Sequence, residues 1–115
     1  LIINKMSSYT ELIKNNSEGI FIISKTDCPL CEKLKNLFDT IEVKYKKYLY
    51  LQENEINDTL PFKEQMKQET NGTKFPFCYF NGKYVGGYKE IHQNLMTGKL
   101  QEQLSEIGIE YEDDF

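Results

Sequence analysis

The sequence predicts an α/β domain in which a four-stranded mixed sheet is flanked by about five helices. Three observations predict it. An apolar run, Ile20-Phe21-Ile22-Ile23, leads through a helical pattern into a second β-rich run, which is the order of a βαβ unit. Asn81-Gly82 stands between two further β-rich runs, and Asn-Gly is the strongest short-range hairpin signal because both turn positions need φ > 0. No repeat, low-complexity stretch or linker divides the 115 residues, so one domain is expected, with its core over 9–107 and a short acidic tail over 109–115.

Taken in order, Ser8-Tyr9-Thr10-Glu11 reads as a capping box, with Ser8 at the N-cap of a helix over about 9–16. Tyr9, Leu12 and Ile13 share its apolar face, and Asn15, Asn16 and Gly19 end it. A strand follows over about 20–25. Its apolar residues do not alternate, so a central position, buried on both faces, is expected. Leu30, Leu34, Leu37, Phe38 and Ile41 then keep a 3.6-residue period. From Lys44 to Leu51 the pattern alternates, setting Tyr45, Lys47, Leu49 and Leu51 against Lys46, Tyr48 and Tyr50. The helix between these strands makes parallel pairing with a right-handed crossover the expected geometry. Residues 52–58 are polar and loop-like. Thr59 opens a helix over about 60–70 with Pro61 in its first turn, and Asn71-Gly72 ends it. The hairpin over 76–86 comes next, broken by Gly86-Gly87. Helices over about 88–97 and 100–107 are closed by Gly98 and Gly108.

Composition excludes several classes. A net charge of −4 disfavours nucleic acid, which demands basic clusters. No run approaches the ~20 apolar residues of a membrane span. Leu1–Lys5 is too short for a signal peptide, and either a processed or partial chain or a start at Met6 accounts for the missing initiator. Three cysteines, an odd number, do not make a disulfide scaffold, so a reducing, cytoplasmic setting is expected.

In such a setting Cys28-Pro29-Leu30-Cys31, at the junction of strand and helix, reads as a thiol–disulfide redox site. The reactive species is a thiolate, and a helix N-terminus favours an anion through its unpaired N–H groups and macrodipole. Cys28 falls at the N-cap, Pro29 at N1, where its missing N–H costs nothing, and Cys31 one turn further in. Lys25 adds a positive charge. A zinc site needs about four ligands. Only Cys78 and His92 remain as candidates, so no metal is expected. Cys78 reads as a core cysteine and His92 as a surface residue.

With these residues placed, the chain resembles the dithiol glutaredoxins over about residues 9–107. Ser24-Lys25-Thr26-Asp27-Cys28-Pro29-Leu30-Cys31 is similar to the family's active-site segment, with a Lys three places before C-P-Y-C. Lys74-Phe75-Pro76 stands where that family has T-V-P. Phe80-Asn81-Gly82-Lys83-Tyr84-Val85-Gly86-Gly87 resembles its I-N-G-K-x-I-G-G hairpin. The resemblance implies a thioredoxin-like fold and a glutathione-dependent thiol–disulfide oxidoreductase, monomeric, acting on disulfide-bonded or glutathionylated proteins. It implies that Pro76 is cis and lies beside the reactive sulfur. Around it, the Phe75 backbone would pair with glutathione, Gly86 and Gly87 would admit its γ-glutamyl end, and Lys25 would meet its glycine carboxylate. Departures fall on the same surface. Leu30 replaces the motif's Tyr, Thr73 and Lys74 replace an Arg-Thr pair, and Tyr88-Lys89-Glu90 replaces C-D-D. Lys74, Gly87, Tyr88 and Lys89 are therefore expected glutathione contacts in altered form, with Glu90 or Lys89 meeting the γ-glutamyl end. Two alternatives stand beside this reading. One is an electron donor recycled by a thioredoxin reductase. The other is a carrier bridging a [2Fe–2S] cluster between subunits through its first cysteine and glutathione.

Overall fold

A computed structural model describes residues 8–50, 59–72 and 74–111. Its elements run α1 (Ser8–Asn15), β1 (Ile20–Lys25), α2 (Pro29–Thr40), β2 (Tyr45–Tyr50), α3 (Thr59–Thr70), β3 (Phe77–Phe80), β4 (Lys83–Gly86), α4 (Tyr88–Thr97) and α5 (Lys99–Glu106). The helix read as capped by Ser8 begins at Ser8 itself. The side chains of Ser8 and Thr59, the loop expected over 52–58, Met6, Thr73 and the last residues of the acidic tail lie outside the described residues.

The sheet order is β2-β1-β3-β4. β1 pairs parallel with β2, in the register Ile22↔Lys47 and Ser24↔Leu49, and antiparallel with β3, in the register Ile22↔Cys78. β1 is thus central, and all of it but Lys25 is buried. β2 lies at the outer end of that order, so its alternation is only half used. Tyr50 is buried and Tyr45 and Tyr48 are half-buried, while Lys46, Lys47 and Leu49 remain exposed. β3 and β4 form the expected hairpin, with φ of 51° at Asn81 and 81° at Gly82.

Two apolar clusters sandwich the sheet. On one face Ile20, Ile22, Cys78 and Phe80 pack against Leu34 and Phe38 of α2, Ile91 of α4, and Leu100 and Leu104 of α5. On the other, Phe21, Ile23, Phe77 and Tyr79 pack against Tyr9 of α1 and Phe62 and Met66 of α3. The period of two along β1 sends successive side chains to opposite clusters. That is why its run shows no polar alternation. The C-terminal end of β1, the start of α2 and the loop before β3 meet at one edge of this sandwich.

Candidate active site

β1 ends at Lys25, and Thr26-Asp27 turns the chain into α2, with Asp27 at φ 53°. Cys28 is the N-cap, in extended conformation, and Pro29 opens the helix as expected. The Cys31 N–H donates to Cys28 Sγ at 3.3 Å. An N-terminal amide that has no helical partner is thereby aimed at the sulfur, where it favours negative charge. Cys28 and Cys31 are joined as a disulfide with Cα atoms 5.2 Å apart, within the usual span of such bridges. Cys28 is half-buried and Cys31 only 5% exposed. An incoming thiolate therefore reaches the Cys28 sulfur first.

The loop before β3 closes against this sulfur. The Phe75–Pro76 peptide is cis, and Pro76 is buried. The Phe75 carbonyl lies 4.0 Å from Cys28 Sγ. The Phe75 ring is wedged by Tyr50 and Phe77, at centroid distances of 5.3 and 5.1 Å. Lys25 Nζ sits 5.4 Å from the same ring centroid, so its charge is held at the mouth of the site by a cation–π contact.

The glycine pair has a steric reason. A Cβ on Gly87 would stand 2.9 Å from the Pro76 carbonyl oxygen, so only glycine brings α4 this close to the cis-proline loop. Gly86 has φ 120°, and a Cβ there would meet Glu90 Cβ at 2.7 Å. Glu90 accepts the Gly87 N–H at 2.8 Å. The Gly87 donor is thus engaged within the helix cap. The pattern Gly-x-x-Glu ahead of a helix carried that signal in the sequence.

Two clefts open near the motif, the first lined by Cys28 and the second by its neighbour Leu30. One, of about 640 Å³, is lined by Lys25, Cys28, Cys31 and Ser24, with Lys47 and Leu49 from β2. The other, of about 470 Å³, is lined by Leu30, Lys74, Phe75, Gly87, Tyr88 and Lys89, with Glu90 beside them. The structure thus gathers Lys74, Phe75, Gly87, Tyr88 and Lys89 into one groove, sets Lys25 with the two cysteines in the other, and buries Pro76 close by, its carbonyl against Gly87. Lys33 approaches the Tyr88 ring at 5.9 Å, and His92 stacks on that ring at 5.4 Å. Lys47 and Leu49 escaped the sequence reading, because the register that sets β2 beside the motif has no local signature. Cys78 lies apart, fully buried, and burial pushes its thiol pKa far up. Among the described residues no cluster of His, Cys, Asp and Glu could hold a metal ion.

Comparisons with known proteins agree with this geometry. The sequence model of the glutaredoxin family matches residues 20–85. Glutaredoxin-1 of Saccharomyces cerevisiae is 34% identical over 98 residues, covering 84% of this chain and 87% of its own. Among solved structures, oxidized glutaredoxin 2 from Chlamydomonas reinhardtii superposes with a TM-score of 0.75 at 29% identity, over 92% of this chain and 98% of its own. The buckwheat glutaredoxin–glutathione complex gives a TM-score of 0.79 at 23% identity, over 96% and 99%.

Proposed function

This chain belongs to the glutaredoxin family of thiol–disulfide oxidoreductases, and from that premise we propose that it reduces protein disulfides and glutathione mixed disulfides through Cys28 and Cys31, with glutathione as the reductant. The observation that carries the reading is the half-buried Cys28 at a helix N-cap, its sulfur bonded by the Cys31 amide and walled by the cis-proline loop. In the reduced protein, the Cys28 thiolate attacks a sulfur of the substrate disulfide, forms a mixed disulfide and expels the substrate's other sulfur as a thiolate. Cys31 then attacks Cys28 Sγ, releases the second substrate thiol and closes the bridge that the structure contains. Two glutathione molecules restore the dithiol, the first as a mixed disulfide on Cys28, and leave as glutathione disulfide. A glutathionylated substrate takes a shorter route, in which Cys28 alone accepts the glutathione.

The groove beside Leu30 suits such a peptide thiol. Its Lys74 and Lys89 are exposed cations for carboxylates, and Leu30, Phe75 and Tyr88 give it an apolar wall. The buckwheat protein's complex with glutathione supports the same ligand here. The test is reduction of a small glutathione mixed disulfide coupled to NADPH and glutathione reductase. Wild type should turn over, Cys28→Ser should lose essentially all turnover, and Cys31→Ser should keep much of it. If the wild type is idle with glutathione but turns over with a thioredoxin reductase, the reductant in this proposal is wrong. Equal loss in both variants removes the one-cysteine route.

A further inference from the structure

Ser24 is buried, at 3% exposure, and its hydroxyl has no hydrogen-bond partner among the described residues. Leaving a buried hydroxyl unpaired is costly, so its position calls for a reason. Ser24 continues the face of β1 that carries Ile20 and Ile22, the face packed by α2. It lies across from Leu49 in the parallel register and lines the same cleft as Cys31. Cys31 is itself 5% exposed and is held in the Cys28 disulfide. In that state its sulfur is tied toward Cys28 and is a poor acceptor for a hydroxyl.

Resting on the dithiol reading above, we infer that Ser24 is a positioning residue for the reduced state, its hydroxyl donating to the Cys31 sulfur once the Cys28–Cys31 bond is broken. Reduction adds two electrons and two protons, cleaves the S–S bond and frees the Cys31 side chain to turn about its Cα–Cβ bond toward the shared cleft. The unpaired hydroxyl of the oxidised form then gains an acceptor. When Cys31 leaves as a thiolate, the same hydrogen bond is charge-assisted and stronger. Both effects favour the dithiol over the disulfide. Ser24 thereby raises the reduction potential of the pair and makes Cys31 the better leaving group when an external thiolate attacks Cys28. This effect belongs to the Cys28–Cys31 couple, whatever recognises glutathione.

The experiment equilibrates wild type, Ser24→Ala and Ser24→Thr with mixtures of reduced and oxidised dithiothreitol and counts free thiols after acid quench. Dithiothreitol supplies the two electrons and two protons and becomes its cyclic disulfide. Ser24→Ala should shift the equilibrium toward the disulfide by roughly tenfold, which is about 30 mV for a two-electron couple. Ser24→Thr keeps the hydroxyl and should stay near the wild-type midpoint. An unchanged Ser24→Ala midpoint, or a shift toward the dithiol, overturns the inference. So does an equal shift in Ser24→Thr, which would make packing the cause. A wild type with no thiol–disulfide transition at all would instead sink the dithiol reading of the preceding section.

Discussion

At the scale of single residues, the two kinds of cysteine in this chain differ by environment. Cys28 caps a helix, where an amide hydrogen aims at its sulfur. Cys78 sits mid-sheet between Ile22 and Gly86 with no exposure, and burial raises its pKa because the thiolate has nothing to solvate it. Iodoacetamide at pH 8 should therefore leave the oxidised, folded protein unlabelled, while unfolding in guanidinium should admit one label, on Cys78, by intact mass. Labelling of the folded chain would contradict the buried placement. C-P-L-C was legible as a redox site because its chemistry is local. Ser24 was not, since what makes it unusual is the absence of a partner in three dimensions.

At the scale of elements, α4 is held against the cis-proline loop by the absence of one side chain. Gly87 has an ordinary extended φ of −113°, so alanine there meets no backbone strain, only the Pro76 carbonyl 2.9 Å from its Cβ. Gly87→Ala should separate α4 from the loop. A loss of about 1–3 kcal/mol in urea unfolding, typical of overpacking, is expected, with a several-fold higher KM for the glutathione mixed disulfide. Unchanged KM would mean that this contact does not shape the groove. Glu90→Ala removes the acceptor of the Gly87 N–H and should cost about 1 kcal/mol, as lost caps do. Glu90→Gln keeps an acceptor and should recover most of it. The sequence announced the helix and its glycine pair. It did not disclose that one glycine is required by Glu90 and the other by a carbonyl ten or more positions earlier.

At the scale of the whole molecule, the sheet is clamped between two cores of different chemistry. The α2–α4–α5 side is mainly aliphatic. The α1–α3 side is largely aromatic and carries a hydroxyl pair, Tyr9 to Tyr79, with oxygens 2.8 Å apart. Burial raises the pKa of both phenols above the ordinary 10.0, most strongly for Tyr79. The folded chain keeps these protons while the unfolded chain releases them near pH 10. Stability from this source is thus fully present below pH 10 and falls as pH rises above it. Urea midpoints measured from pH 8 to 11 should drop above pH 10. The drop should be shallower in the double variant Tyr9→Phe, Tyr79→Phe, which removes both titrating groups without stranding either hydroxyl. A single Tyr79→Phe, by leaving the Tyr9 hydroxyl unpaired, should be the less stable of the two at pH 7.

The sequence by itself determined the order of elements, the central place of β1, the Asn81-Gly82 turn and the placing of Cys28 and Pro29 at a helix start. Each of these follows from periodicity or backbone preference within a few residues, so short-range physics suffices. Tertiary structure alone decided that Leu49 stands across from Ser24, that Lys25 rests on Phe75, that the residues expected in one ligand site line two clefts, and that Gly87 lies against the Pro76 carbonyl. Those facts depend on register and on the approach of segments distant in the chain. They are set by how the two cores close on the sheet, and no local pattern encodes that closure.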